Sequence, residues 1–211
     1  MRVFLLLMLV FSGTSAFSQS DSVYLFSDYQ LFGGKKVNMI VNGSKSGVWI
    51  DYVLTPSALA PVLFKDSAQH CYQKIRKEYR PLAEGETDGL LILLPQYTDT
   101  LINGVSCYKV FSKVTNKLAA NEYRVIAKGN YLSNLKDGYW EYFHANGQLS
   151  KRIHYTKGLP DASFQLLRDD GTLSLDVQRV GENEWEICKY SDMLRKIGCK
   201  RQKVDEFKSL Y

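Results

Sequence analysis

The chain has 211 residues, of which 27 are Lys or Arg and 22 are Asp or Glu, for a formal net charge of +5. This excess is too small for a typical nucleic-acid-binding protein, and the sequence contains no nucleic-acid-reading motif. A tyrosine-led aromatic content with only 5 prolines favours a β-rich fold.

Residues 1–18 predict a secretory signal peptide. Arg2 precedes an apolar run over 3–11, and small residues follow over 12–18. The run is too short to span a bilayer, and cleavage is expected after Ser18 or alternatively after Ala16. No cysteine lies near this site to carry a lipid anchor. We therefore expect an exported chain, periplasmic or at the cell surface, whose mature part has no transmembrane span.

Residues 19–54 predict N-terminal strands that end in one outlying copy of a repeat found later in the chain. Gly47, Trp49 and Tyr52 reproduce the Gly, the Trp and the final aromatic residue of the segment 138–143, and Asn42-Gly43 precedes them. Asn-Gly pairs favour hairpin turns.

Residues 55–121 predict an insertion of a different kind, which begins with a helix. Thr55 is a suitable N-cap, and Pro56 suits the first helical position because its missing N–H has no partner there. Further on, apolar residues with helical spacing predict an amphipathic helix that ends at Pro81 and covers the repeat sheet. These residues are Ala68, Cys71, Tyr72, Ile75 and Tyr79.

The second half of the insertion predicts strands. The apolar run Gly89–Leu94 indicates a buried strand. Thr100–Val114, with Asn103-Gly104 at a turn, indicates a hairpin whose second strand carries Cys107.

Residues 122–178 carry the same pattern twice, 24 residues apart. Tyr131, Gly138, Trp140, Gly147 and Leu149 correspond in order to Tyr155, Ala162, Phe164, Gly171 and Leu173. A fixed period indicates a duplicated structural unit, and Asn146-Gly147 and Asp170-Gly171 predict tight two-residue turns between its strands. Strand alternation places Lys151 on the otherwise apolar face, and we expect its amine to reach water at a sheet edge.

The first copy resembles the bacterial MORN-repeat variant family, many of whose members are labelled antitoxin components of toxin–antitoxin modules. The residues that carry the resemblance are Gly138, Trp140, Tyr142, Phe143, Asn146, Gly147, Leu149, Tyr155 and Gly158. The resemblance implies a meandering antiparallel sheet of hairpins with a binding or scaffolding role and no catalytic residues. An exported chain cannot neutralise a toxin in the cytosol, so only the binding role agrees with the signal peptide.

Residues 179–211 predict a degenerate unit followed by a basic tail. Trp185 precedes Leu194 by nine positions, as Trp140 precedes Leu149, and Asp192 then stands where a turn glycine is expected. In this register Cys188 lies opposite Arg195 rather than opposite Cys199. Degenerate terminal units are expected in stacked repeat arrays, because an end unit has only one neighbour.

The four cysteines are Cys71, Cys107, Cys188 and Cys199. They allow three disulfide connectivities, and their spacing does not choose among these or against free thiols. Since no Cys-x-x-Cys pair occurs and the histidines are scattered, the sequence predicts no zinc site.

The sequence therefore predicts an α+β, mainly β protein: an antiparallel sheet of hairpin repeats with a helical insertion packed on it. His144 and His154 have no carboxylate at ligand spacing, and Asp161, Asp169 and Asp170 fit turn chemistry. Without a nucleophile elbow or a phosphate loop, we expect a non-enzymatic protein with no cofactor or metal.

The expected partner is an unidentified protein, and the alternative is an anionic envelope lipid or glycan bound by the basic tail and exposed aromatic rings. Trp140 and Phe143 lie on opposite faces of one strand, and the sequence does not tell which one is exposed. The candidate binding residues are Trp140, Tyr142, His154, Arg195, Lys196, Lys200 and Arg201.

Overall fold

The computed structural model describes residues 21–60, 62–66, 71–82, 91–92, 98–100 and 107–211. These residues form nineteen strands, one α-helix and one 3₁₀ helix, which confirms the mainly β fold class. The predicted signal peptide at 1–18 lies outside the described residues.

In chain order the first strands are β1 (Val23–Leu25), β2 (Gln30–Phe32), β3 (Lys35–Val37), β4 (Met39–Val41), β5 (Ser44–Leu54), β6 (Val62–Asp66), β7 (Cys71–Tyr79), β8 (Leu91–Ile92), β9 (Thr98–Thr100) and β10 (Cys107–Thr115). The remaining strands are β11 (Lys117–Leu118), β12 (Tyr123–Leu132), β13 (Leu135–Phe143), β14 (Leu149–Thr156), β15 (Leu159–Pro160), β16 (Phe164–Leu167), β17 (Leu173–Arg179), β18 (Glu184–Tyr190) and β19 (Lys196–Lys203). Helix α1 is Pro56–Leu59, and the 3₁₀ helix is Val204–Leu210.

A small N-terminal sheet has the order β11-β1-β2-β3 and packs on β5 and β12. Its core contains Val23, Phe32 and Tyr123, each at most 2% exposed. The Phe32 and Tyr123 rings meet edge to face at 5.2 Å, and the Tyr123 hydroxyl donates to the carbonyl of Asp21 at 2.7 Å. This sheet therefore forms a second core, beside that of the repeat sheet.

The insertion is a sheet of its own, with the order β6-β7-β10-β8 and β9 paired to β10. Helix α1 begins after Thr55 as predicted, but it has only four residues, and the Thr55 hydroxyl donates to the Asn121 carbonyl at 2.7 Å instead of capping the helix. The hairpin prediction is confirmed, because β9 pairs antiparallel with β10, which starts at Cys107. The strand prediction for 89–94 agrees with β8, while Asn103-Gly104 lies outside the described residues.

The predicted amphipathic helix is wrong, since Cys71–Tyr79 is the strand β7, and Ala68 lies outside the described residues. β7 pairs in parallel with β10 over eight residues, from Tyr72 opposite Tyr108 to Tyr79 opposite Thr115. Cys, Tyr and Ile are good strand residues, and a long partner strand overrides the weak helical periodicity.

The repeats form the third and largest sheet, with the order β19-β18-β17-β16-β14-β13-β12-β5-β4. All its described strand pairs are antiparallel. They link neighbours in the chain, except that β14 pairs with β16 as well as with the short β15, and that β5 pairs with β12 across the insertion. The predicted meander with an inserted segment is thus the observed topology. The C-terminal 3₁₀ helix covers part of its apolar face, whereas the prediction gave that cover to a helix of the insertion.

The turns predicted at Asn146-Gly147 and Asp170-Gly171 are present, but they are not two-residue turns. The His144 N–H donates to the Gln148 carbonyl and the Gly147 N–H to the His144 carbonyl, at 2.8 and 3.0 Å. This is a three-residue hairpin loop in which only the glycine needs a positive φ, which is 84° for Gly147. Two-residue turns with two positive φ angles occur at the opposite end of the strands, at Ser133-Asn134 and Lys157-Gly158.

The third unit is better preserved than predicted, in a register shifted by two residues. Each hairpin has a bulge at the same place, between Tyr142 and Phe143, Leu166 and Leu167, and Lys189 and Tyr190. These bulges make Ile187, and not Trp185, the counterpart of Trp140 and Phe164. The turn residue is accordingly Leu194 and not Asp192, and its φ is 56° where the other units have glycine.

The corrected register brings Cys188 opposite Cys199, and a disulfide joins them. The prediction that Cys188 faces Arg195 is wrong because it assumed a hairpin centred near Asp192. The Ser191 N–H instead donates to the Arg195 carbonyl at 2.9 Å, which moves the centre toward the C-terminus.

Candidate functional site: the lysine–aromatic patch

The tryptophan of the first repeat lies in the core of the large sheet. Trp140 is 0% exposed, and its Nε1–H donates to the Asn130 carbonyl at 2.8 Å. The prediction that Trp140 is a binding residue is therefore wrong, because its side chain is buried. Phe143 is on the opposite face, where the Lys128 amine lies 5.4 Å from its ring centre.

The C-terminal 3₁₀ helix covers the half of this apolar face formed by the later strands. Phe207 is 3% exposed and meets the Trp185 ring at 5.7 Å, while Tyr211 lies 6.4 Å from the Tyr155 ring. Phe207 and Tyr211 also meet edge to face at 5.7 Å. A peptide segment of the chain itself is therefore bound by aromatic contacts across this part of the sheet.

The helix leaves the other half of the face partly open, along β5, β12 and β13. Trp49, Tyr131 and Tyr142 are partly buried there and continue the aromatic row. The ring centres of Trp49 and Tyr131 are 5.4 Å apart, and those of Tyr131 and Trp140 are 5.0 Å apart, both edge to face.

Three lysine amines lie over this row of rings. The Lys45 amine is 4.5 Å from the Trp49 ring centre, and the Lys151 amine is 4.7 Å from that of Tyr142. The Lys136 amine is 5.1 Å from the Tyr142 ring centre and donates to the Tyr142 hydroxyl at 2.7 Å. We call Lys45, Trp49, Tyr131, Lys136, Tyr142 and Lys151 the lysine–aromatic patch.

Lys151 lies farther inside than expected, because β14 is a central strand and not a sheet edge. Its amine donates to the carbonyl of Leu210 in the covering helix. Burial, with a smaller effect from Lys136, lowers the pKa of the Lys151 amine to about 8. A lysine on the apolar face was visible in the sequence, and it was the one signal that could have located the patch.

The three lysines of the patch have no close ion-pair partner among the described residues. Among the described residues, none of the three lysines has a carboxylate within 4 Å. The nearby carboxylate of Asp51 accepts the Trp49 Nε1–H at 2.9 Å. Burial raises the pKa of the Tyr131 hydroxyl and Asp51 adds to the effect, so the hydroxyl stays a neutral donor. The arrangement can accept an anion or carbonyl groups beside an apolar surface.

The opposite face of the sheet has paired charges. Glu141 lies between Lys128 and Arg152, at 3.0 and 3.7 Å. The sequence indicated no carboxylate near His154, but the fold brings Asp161 beside it, with its Oδ1 2.6 Å from His154 Nδ1. The cations on this face are therefore largely satisfied within the chain.

The His154–Asp161 pair has a structural explanation. Burial raises the pKa of the Asp161 carboxyl, but hydrogen bonds from Thr156 and His154 outweigh it and lower that pKa below its usual value. Among the hydrogen bonds of the described residues, none joins His154 Nε2 to a hydroxyl or thiol.

His144 connects neighbouring repeat units. Its Nε2 lies 2.9 Å from the Leu167 carbonyl, at the bulge of the next unit. Arg168, its counterpart one repeat later, donates to the Tyr190 carbonyl at 2.6 Å in the same way. The expected turn role of Asp170 is confirmed, since its Oδ1 accepts the Thr172 N–H at 2.8 Å.

A cavity of about 350 Å³ opens between β14 and β16, which share a single residue pair, Lys151 opposite Leu166. Its lining includes Arg152, Gln165 and Gln178, which face away from the aromatic core, beside Phe164, which belongs to it. The two amides are already engaged with Asp176, at 3.4 and 2.8 Å. The cavity thus marks a weak seam in the sheet next to the patch.

The predicted basic residues lie on the last hairpin, away from the patch. Arg195, Lys196 and Lys200 are exposed, while Arg201 is within 3.5 Å of Glu186. Glu186 also lies close to Cys188 and Cys199, but disulfide sulfurs lack the thiolate charge that binds metals. No helix in the described part of the chain is long and apolar enough to cross a membrane.

Comparison with protein-family models found no match, and comparisons with curated proteins and with solved structures found none either. The resemblance to MORN-repeat variants therefore rests on the sequence motif and stays a prediction.

Proposed function

We propose that this chain is an exported, non-enzymatic binding module that captures an acidic peptide segment of a protein partner on the lysine–aromatic patch. The observation that carries the proposal is the contrast between the two faces of one sheet. Lysines of the patch lie over aromatic rings with no carboxylate partner among the described residues, whereas Lys128 and Arg152 on the opposite face share Glu141.

The C-terminal 3₁₀ helix supports a peptide as the ligand. It already occupies the adjoining half of the face with Phe207 and Tyr211, and Lys151 binds a main-chain carbonyl of it. A partner segment that continues this arrangement would place an aromatic or aliphatic side chain on Trp49 and Tyr131. Its carboxylates would then meet Lys45 and Lys136. Ion pairs in such a partly desolvated site contribute more than those on an open surface.

A non-enzymatic role agrees with the chemistry of the described residues. The titratable groups of the patch are lysines and tyrosines, and the His154–Asp161 pair is on the other face, with no hydroxyl or thiol bonded to it at Nε2 among the described residues. The antitoxin label attached to the resembling family would also require a binding surface and no catalysis.

The test uses a fluorescein-labelled random copolymer of glutamate and tyrosine as the acidic probe, with a lysine–tyrosine copolymer as the comparator. We expect anisotropy at low salt to report binding of the acidic probe only. Each of Lys45→Gln and Lys136→Gln should weaken binding about fivefold, since one ion pair contributes about 1 kcal/mol.

Lys128→Gln is the matched control, because Lys128 is on the same sheet but on its opposite face and already pairs with Glu141 at 3.0 Å. It should leave probe binding unchanged. Equal binding of the basic copolymer, or an equal loss with Lys128→Gln, would refute the proposed site.

A further inference from the structure

The tip of the last hairpin presents three large apolar side chains to solvent. Met193 is 80% exposed, Leu194 57% and Ile197 63%. Single exposed apolar residues are ordinary on a protein surface, but these three lie within five residues of each other at one end of a hairpin. We call Met193, Leu194 and Ile197 the apolar tip.

Leu194 occupies a backbone position that a leucine disfavours. The equivalent turn residues of the first two units are Gly147 and Gly171, both with φ of 84°. Leu194 has φ of 56° in the same hydrogen-bonded loop, where the Leu194 N–H donates to the Ser191 carbonyl at 3.0 Å. A Cβ is unfavourable in the left-handed region of backbone conformation, so an exposed leucine there lowers the stability of the turn.

Basic residues flank the apolar tip. Lys189, Arg195, Lys196 and Lys200 are all exposed, and none has a carboxylate within 4 Å among the described residues. The one carboxylate in the turn, Asp192, lies 3.1 Å from Arg168 of the preceding unit, so its charge is compensated. The free charge at this end of the hairpin is therefore positive.

The hairpin is also braced in a way that suits a projecting element. The disulfide between Cys188 and Cys199 joins its two strands, and Arg168 donates to the Tyr190 carbonyl at 2.6 Å at the base of the turn. These contacts fix the turn on the edge of the sheet, where β19 has no further neighbour among the described strands.

We propose that the apolar tip inserts into the interfacial region of a bilayer that contains anionic phospholipid, while the flanking basic residues bind the headgroups. Exposed Met, Leu and Ile side chains supply apolar burial, and cations beside them are attracted to the negative surface potential. Charge complementarity selects this occupant over a neutral bilayer. The tip lies at the opposite end of the strands from the two-residue turns near the lysine–aromatic patch, so a membrane-bound chain keeps that patch accessible.

The experiment measures sedimentation of the oxidised mature chain with vesicles of phosphatidylcholine alone and with vesicles in which about a quarter of the lipid is phosphatidylglycerol. We expect binding only to the anionic vesicles, and loss of binding as salt rises to about 0.5 M. Lys196→Gln and Lys200→Gln should each weaken binding about fivefold.

Leu194→Gly is the decisive variant, because it installs the residue that the other two turns use. Its fold should be at least as stable as that of the wild type, while its vesicle affinity falls about tenfold. Leu132→Ser is the matched control, since Leu132 is 62% exposed but lies at the opposite end of the strands. It should bind vesicles like the wild type.

Three results would overturn the proposal: no binding to anionic vesicles at low salt, wild-type binding by Leu194→Gly, or an equal loss with Leu132→Ser. Binding of the glutamate–tyrosine copolymer by Leu194→Gly should remain normal. The two proposals can thus fail independently of each other.

Discussion

Replacing Gly129 with alanine tests how the central tryptophan of the repeat is packed. A Cβ at this position would lie 2.3 to 2.5 Å from three ring atoms of Trp140. Carbon atoms in contact are normally about 3.5–4.0 Å apart, so the ring would have to move by more than about 1 Å. Trp140 is fully buried and its Nε1–H is held by the Asn130 carbonyl, so there is no free space to receive it.

The expected magnitude follows from two opposing effects. Overpacking of this kind costs about 1–3 kcal/mol, and we take the upper end because the ring is enclosed. Alanine in a strand interior returns about 0.5–1 kcal/mol relative to glycine. The net loss is therefore about 2 kcal/mol, or about 4–8 °C in melting temperature for a chain of this size, measured by circular dichroism.

Gly198→Ala is the matched control, because Gly198 is also a strand glycine but a Cβ there meets nothing within 4 Å. It should change the melting temperature little. In a Trp140→Leu background the penalty of Gly129→Ala should disappear, which gives a coupling energy of at least about 1.5 kcal/mol. If Gly129→Ala melts with the wild type, or its cost survives in that background, Trp140 is not packed on this glycine.

Two further predictions concern stability. Cys188→Ser with Cys199→Ser removes a crosslink over 11 residues, for which loop entropy gives a loss of about 2.8 kcal/mol, read from urea midpoints; an unchanged midpoint under oxidising conditions would contradict the pairing. The Lys151 amine has a folded-state pKa of about 8 against 10.5 ordinarily, so the unfolded chain binds more protons between these values and wild-type stability should rise with pH in that window. Lys151→Met should lack this rise and should be more stable than the wild type near neutral pH by about 1 kcal/mol. This free energy is smaller than the full pKa shift implies, because the amine is only partly buried. Parallel stability–pH curves for the two proteins would contradict a buried charged amine.

The spacing of the repeats predicted the architecture well at positions where the residue type indicates the backbone conformation. The fixed spacing gave Trp140 and Phe164 equivalent positions in the repeat, and the structure places both in one core. The same method misplaced the third unit because Trp185 is followed by Glu186, as Trp140 is by Glu141. The correct counterpart, Ile187, could not be recognised, because the third unit has isoleucine where the others have an aromatic residue and Leu194 where they have a turn glycine.

The non-local features could not be predicted from local pattern. Cys71–Tyr79 has apolar residues compatible with a helix, and only its pairing with β10 makes it a strand. The C-terminal cover is also a long-range contact, since Phe207 packs against Trp185 from a segment that the sequence indicates only as a basic tail. Of the three patch lysines, Lys151 could be recognised in the sequence as a lysine on an otherwise apolar face. Lys45 and Lys136 could be assigned to the patch only from the strand order of the folded sheet.

One cross-strand position shows how the last unit differs from the first two. It holds the ion pair of Glu141 and Arg152 in the first unit and the hydrogen bond of Gln165 to Asp176 in the second, at 3.7 and 3.4 Å.

In the third unit the same position holds the disulfide of Cys188 and Cys199. An end unit has a neighbour on one side only, so a covalent link replaces the support that stacking gives the inner units. A residue in a disfavoured conformation persists only where its surroundings hold it, and Leu194 lies in the turn of this crosslinked hairpin. The end unit is therefore braced most strongly where it departs most from the repeat, which is the pattern expected when the departure itself, an exposed apolar turn, has a function.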